Sequence, residues 1–155
     1  MGNYASQEGE LNASGMRVAI AVARFNRDIT DPLLDGARRT LEKYAADDVV
    51  VVWVPGAFEL PLVAQRLARS GEVDAVICIG AVVRGDTPHF DYVAGECAAG
   101  INRVALDTGV PVIFGVLTVD TREQATDRIG GKEGHKGEEA ATTAIEMVTL
   151  LRALP

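Results

Sequence analysis

"DAVICIGA", Asp74–Ala81, follows its aspartate with an unbroken apolar run. A strand with one face in water alternates apolar and polar side chains, and this stretch does not alternate. It reads as a strand buried on both faces, the kind found in parallel sheets covered by helices on each side. Working outward, three more runs read the same way: RVAIAVA (Arg17–Ala23), VVVVWV (Val49–Val54) and VPVIFGVL (Val110–Leu117). The last carries Pro111 at its first positions, where a missing N–H does least harm to a sheet.

Helical segments separate these runs. In Thr30–Ala46, Leu33, Leu34, Ala37, Leu41 and Tyr44 recur at spacings of three and four, which places them on one face. Thr30 or Asp31 is expected to cap that helix, with Pro32 in its first turn. A second helix is expected from about Phe58 to Ser70, stopped by Gly71, and a third from His89 to Asp107, ended by Gly109. Thr121 and Gln124 in TREQATDRIG form a capping-box pattern. GEEAATTAIEMVTLLRAL gives a final, Ala-rich helix. This alternation predicts an α/β fold: a flavodoxin-like three-layer sandwich with a four-stranded parallel sheet. Residues 1–15, MGNYASQEGELNASG, are small and polar without a period and are expected to form a flexible arm. Part of the arm is available as an extra edge strand on this sheet or a neighbour's. Residues 16–155 are expected to form one domain.

Composition narrows the function. The chain has 155 residues, with 48% hydrophobic but only 5% aromatic side chains, so its core must be built from Val, Ala, Leu and Ile. The formal charge is −7, and no run of Lys and Arg supplies the basic face a nucleic-acid binder needs. Cys78 and Cys97 are too few for a disulfide framework and read as small buried hydrophobes in a reducing compartment. No apolar run reaches membrane-spanning length, and the N-terminus lacks a signal pattern, so a soluble cytoplasmic protein is expected, with no membrane partner.

In doubly wound folds, ligands bind outside the carboxyl ends of the strands. The first strand ends in RFNRD, where Phe25 either covers the core edge or faces a ligand. Neither a Gly-x-Gly-x-x-Gly pattern nor a Walker lysine follows it, which argues against a dinucleotide or nucleoside triphosphate. The second ends in VPGAFELP, where Ala57, Phe58 and Glu59 open a helix and can offer backbone N–H groups. The third runs into RGDTPHFD (Arg84–Asp91). Three readings compete there: an adhesion tripeptide (Arg84-Gly85-Asp86), a metal site (Asp86, His89, Asp91), or a loop that binds an anion on Gly85, Asp86 and Thr87 and moves protons through His89. The fourth ends in FGVLTVDT, with Phe114 and little polar chemistry.

Taken together, RFN, VPGAFELP, IGAVVRGDTPHFDYV, GVPVIFGVLT, DRIGGKEGHKGEEAA and AIEM resemble the 6,7-dimethyl-8-ribityllumazine synthase family, in its order and spacing and over nearly the whole chain after the arm. The resemblance implies a transferase of riboflavin biosynthesis that needs neither metal nor organic cofactor. It joins 5-amino-6-(D-ribitylamino)uracil to 3,4-dihydroxy-2-butanone 4-phosphate and releases phosphate and water. It implies that Phe25 stacks on the pyrimidine with Asn26 beside it, and that Ala57, Phe58 and Glu59 hold the ribityl chain. Ala81, Val82 and Val83 would line the heterocycle. Gly85, Asp86 and Thr87 would hold the phosphate, and His89 would transfer protons. Phe114, Arg128 and Lys136 would come from the adjacent subunit, Arg128 to the phosphate and Lys136 near the pyrimidine. Ala57 stands where many members carry serine, so one ribityl hydrogen bond rests on backbone alone. Asp86 should point away from the phosphate, because like charges in one site are costly.

The family forms pentamers with active sites between neighbours, and in some members these build a sixty-subunit icosahedral shell. The uninterrupted link Gly130-Gly131-Lys132-Glu133-Gly134-His135-Lys136-Gly137 implies the shell, with riboflavin synthase as a partner it could enclose. The contrasting possibility is a flavin- or lumazine-binding or purely shell-forming relative without catalysis; Phe25, Glu59, His89 and Arg128 argue against it. An archaeal-type riboflavin synthase should depart from GAFELP and RGDTPHFD. A flavodoxin or a phospho-receiver should show a phosphate loop or an acidic pocket, and neither is present.

Overall fold

The computed structural model describes residues 2–155. The apolar runs become four strands: β1 (Arg17–Ala23), β2 (Asp48–Val54), β3 (Ala75–Val83) and β4 (Val112–Val119). All pair in parallel, in the order β2-β1-β3-β4. The two central strands are buried almost without a break, whereas the edge strands β2 and β4 show exposed positions. DAVICIGA lacks alternation because it is central and covered on both faces.

Side chains of β3 divide by period two between two cores. Ile77 and Ile79 face one core with Val18, Ile20 and Val22 of β1, packed under α1 (Arg27–Lys43) and α5 (Lys136–Ala153). Val76 and Cys78 face the other, with Ala21 and Ala23, under α2 (Leu60–Arg69) and α3 (His89–Thr108). Burial pushes the Cys78 thiol up and the Cys97 thiol up to about 11, so both cysteines are unreactive packing groups. No helix among the described residues is long and apolar enough to cross a membrane.

Several boundaries differ from the sequence expectation. α1 begins at Arg27, three residues ahead of the expected cap, after Asn26 in the left-handed region (φ 61°, ψ 46°). Thr30 is buried inside the helix with its N–H bonded to the Asn26 carbonyl, and Asp31 pairs with Arg27 one turn back, so neither caps. Pro32 therefore lies within the helix rather than in its first turn. A single 3₁₀ turn, Ala57–Glu59, precedes α2. The capping box of Thr121 and Gln124 is present but starts only a short helix, α4 (Arg122–Thr126). A small antiparallel hairpin then forms from β5 (Ile129–Gly131) and β6 (Gly134–His135), where only a Gly-rich link was expected. Gly130 and Gly134 sit at positive φ there, a conformation that β-carbon-bearing residues resist.

Among the described residues, none before Arg17 joins the sheet, so the additional edge strand is not found in this chain. Instead the Glu10 N–H donates to the Thr149 hydroxyl of α5 (2.7 Å), and that hydroxyl donates to the Glu10 carbonyl (3.0 Å). Ala13 is buried and its N–H bonds the Tyr44 carbonyl (2.8 Å). These bonds carry the second half of the arm across the helical layer rather than along a strand edge.

Candidate functional site

Three strand ends meet at one rim. The Arg24 and Phe25 N–H groups donate to the Val54 and Pro55 carbonyls (2.8 and 3.0 Å), so the chain leaving β1 stays alongside the end of β2. Phe25 is 71% exposed, which decides between its two readings: it covers no core. Asn26 uses its side chain on both sides. Its Nδ2 donates to the Ala81 carbonyl at 3.0 Å, and its Oδ1 accepts from Arg122 Nη1 at 3.1 Å. Beside it, Ala57 is buried and Phe58 exposed in the 3₁₀ turn. The Glu59 N–H is bonded to the Gly56 carbonyl (3.2 Å), so of the three amides expected to be free, those of Ala57 and Phe58 remain. Ala81 and Val82 are buried and Val83 is partly exposed, forming the floor between these features.

The loop after β3 is held by its first residue. The Arg84 N–H bonds the Val119 carbonyl (2.9 Å), extending the β3–β4 ladder by one rung. Its guanidinium donates to Asp120 at 2.8 Å and to Asp91 at 3.3 Å, and stacks 4.3 Å from the Phe90 ring centroid. The hydrogen bond to Asp120, then the Asp91 charge, raises its pKa and fixes it as a cation. With Asp91 committed to Arg84, the metal reading of Asp86, His89 and Asp91 loses a ligand. No group of three or more His, Cys, Asp or Glu among the described residues could hold a metal ion. Gly85, Asp86, Thr87 and His89 are all exposed at the N-terminal end of α3, and the Thr87 hydroxyl accepts the His89 N–H at 3.4 Å. The Asp91 N–H is bonded to the Pro88 carbonyl (3.0 Å), so the twenty-residue α3 offers this loop mainly its positive dipole end.

Phe114, Arg128 and Lys136 lie elsewhere. They line a groove of about 540 Å³ along the open edge of β4, with Val116, Thr118 and Glu139. Phe114 pairs with Cys78, whereas Leu117 pairs with the rim residue Ala81. At one residue per ~3.3 Å of strand, Phe114 sits roughly 10 Å below the rim. Arg128 follows α4 in the turn before β5 and donates to the Gln124 carbonyl (3.0 Å); it pairs with no carboxylate among the described residues. Lys136, the first residue of α5, pairs with Glu139 at 3.1 Å. The chain thus gathers Phe25, Asn26, Ala57–Glu59, Ala81–Val83 and Gly85–His89 at the rim and keeps the other three apart, facing outward.

Sequence reasoning missed the residues that brace the rim, namely Phe90, Asp120, Arg122 and Asp28. Arg122 donates to Asn26 and pairs with Asp28, and its hydrogen bond holds the Asp28 carboxyl below the usual carboxylate range. No local pattern marks Arg122, because its partners Asp28 and Asn26 lie 94 and 96 positions away. Chemically, the rim offers an exposed aromatic face, two backbone donors, a glycine-containing turn at a helix N-terminus, and an imidazole. Those parts suit a flat polar ring, a hydroxylated chain and an anion bound side by side.

Comparison with known proteins agrees with that chemistry. Residues 15–152 match the family model described as 6,7-dimethyl-8-ribityllumazine synthase. A protein of Protochlamydia amoebophila (strain UWE25) named 6,7-dimethyl-8-ribityllumazine synthase is 54% identical over 145 residues, covering 92% of this chain and 84% of its own.

Proposed function

The chain belongs to the 6,7-dimethyl-8-ribityllumazine synthase family, and from that premise we infer that it catalyses the family's reaction. It condenses 5-amino-6-(D-ribitylamino)uracil with 3,4-dihydroxy-2-butanone 4-phosphate to give 6,7-dimethyl-8-ribityllumazine, phosphate and water, in riboflavin biosynthesis. No observation favours a binding or shell protein without catalysis.

The observation that carries the reading of the site is its division into two incomplete halves on one chain. In this reading Phe25 stacks on the pyrimidine, and the Ala57 and Phe58 amides with the Glu59 carboxylate hold the ribityl chain. Ala81–Val83 form the floor. Gly85–Thr87, at the start of α3, hold the phosphate. Arg84 stands next to that loop, but Asp91 and Asp120 already take up its charge. The phosphate therefore needs another cation, and Arg128 of an adjacent subunit supplies it through the bidentate fork that guanidinium makes with phosphate. Phe114 and Lys136 arrive with it. The amine of one substrate forms an imine with the ketone of the other and releases one water. Phosphate then leaves, the ring closes and a second water is lost. Each step moves a proton, and His89 lies within the rim to carry it. Holding two substrates in line supplies much of the rate.

The division fits sites shared between neighbouring subunits, the family resemblance makes these pentamers, and the uninterrupted Gly-rich hairpin link supports their assembly into a sixty-subunit icosahedral shell. Riboflavin synthase is the enclosed partner in that reading, and the cytoplasm the location. The direct test is the rise in lumazine absorbance when the purified protein meets both substrates, and no rise would refute the catalytic reading. Light scattering or sedimentation that finds pentamers alone would overturn the shell.

A further inference from the structure

Arg122 lies outside every role assigned above, yet it makes two contacts at the rim. It stands at the first position of α4, fixed there by the capping box in which Thr121 Oγ1 accepts the Gln124 N–H at 3.2 Å. From that position one guanidinium nitrogen donates to Asn26 Oδ1 at 3.1 Å and the other pairs with Asp28 in the first turn of α1. Asn26 in turn reaches Ala81 through its Nδ2. Asn26 also carries the left-handed backbone turn (φ 61°) that joins the exposed Phe25 ring to α1.

Resting on the reading of the rim as the pyrimidine half of the site, we propose that Arg122 is a positioning residue that sets the pose of Asn26 and Phe25 against Ala81, and so selects the ligand's ring edge. A primary amide has two N–H donors and one carbonyl. Arg122 occupies the carbonyl and Ala81 takes one donor, which leaves one Nδ2–H to project into the rim. With one lone pair of its oxygen held by Arg122 and one N–H by Ala81, the Asn26 amide is fixed in orientation with its second N–H left to donate. The ring edge it meets is therefore best matched by an acceptor, such as a pyrimidine carbonyl oxygen. Nearby, Arg122 pairs with Asp28 and Arg27 with Asp31.

The test is steady-state kinetics of Arg122→Met beside the wild type, varying each substrate in turn. Because the ion pair is half exposed, the expected change is modest: KM for the ribitylaminouracil rises about five- to tenfold, while KM for the butanone phosphate stays within about twofold. Arg122→Lys keeps one donor and recovers part of the loss. Asp28→Asn, which leaves the Arg122–Asn26 bond in place, changes that KM less than Arg122→Met does. An Arg122→Met enzyme with wild-type KM for the ribitylaminouracil overturns the proposal. So does an equal rise in both KM values, which would mean only a loosened fold. If the wild type itself makes no lumazine, it is the reading of the site that fails, and the two failures are thereby told apart.

Discussion

The rim and the groove are built on opposite plans. At the rim every charged brace is already answered from within the chain: Arg84 by Asp91 and Asp120, Arg122 by Asp28, the Asn26 amide by Arg122 and Ala81. In the groove, Arg128 has, among the described residues, only a backbone carbonyl for a partner, and the Phe114 ring is 42% exposed on an open strand edge. A surface that satisfies its own charges is braced, but it offers an anion only backbone N–H groups and a helix dipole, without a free cationic side chain. A surface with a free guanidinium attracts one but has nothing to orient it. In the proposed reading, the difference teaches that each half supplies what the other lacks, and a complete site takes two copies.

The sharpest way to break this comparison is to disable the halves separately. Arg128→Met should lower kcat/KM by about 100-fold or more, the loss typical of removing one charge-stabilising donor from a site. Phe25→Ala should disable the opposite half. When the two inactive variants are dissociated together and reassembled at equal ratio, about one quarter of the interfaces pair an intact rim with an intact groove, and that share of activity should return. If no activity returns while mixed assemblies form, the halves do not meet across an interface.

Within the rim, His89→Ala should slow turnover by roughly 100-fold without abolishing it, because positioning survives loss of the proton carrier. Unchanged turnover across pH would remove His89 from the mechanism.

A smaller effect probes how the groove is attached. A β-carbon at Gly137 would run into the Leu33 carbonyl oxygen of α1, and one at Gly36 into the His135 ring. Gly137→Ala should cost about 1–3 kcal/mol in chemical denaturation, as overpacking does. It should weaken the contribution of the neighbouring Lys136 more than binding at the rim. A variant as stable as the wild type would show that α1 and α5 can part there freely.

The sheet was legible because continuous apolar runs are hard to mistake, and because Gly109 and the Thr121–Gln124 box mark helix ends by local chemistry. The start of α1 was not. Thr30 has the chemistry of a cap, but the helix was begun earlier by a left-handed Asn26, whose side chain answers to residues far away in sequence. The hairpin of Ile129–His135 was equally hidden, since glycines at positive φ leave no periodic trace. Rim residues such as Gly85–His89 could be read from the strand-end rule alone. The pairing of Arg128 and Lys136 with Phe114 could not: in sequence they are isolated basic residues, and only the family resemblance grouped them.

The reciprocal bond between Glu10 and Thr149 has a practical consequence. It holds Glu10 beside the last turns of α5, and Gly9 packs against the Glu146 backbone one turn earlier. Whatever frays that helix therefore also releases the arm, so the two should come loose as one unit.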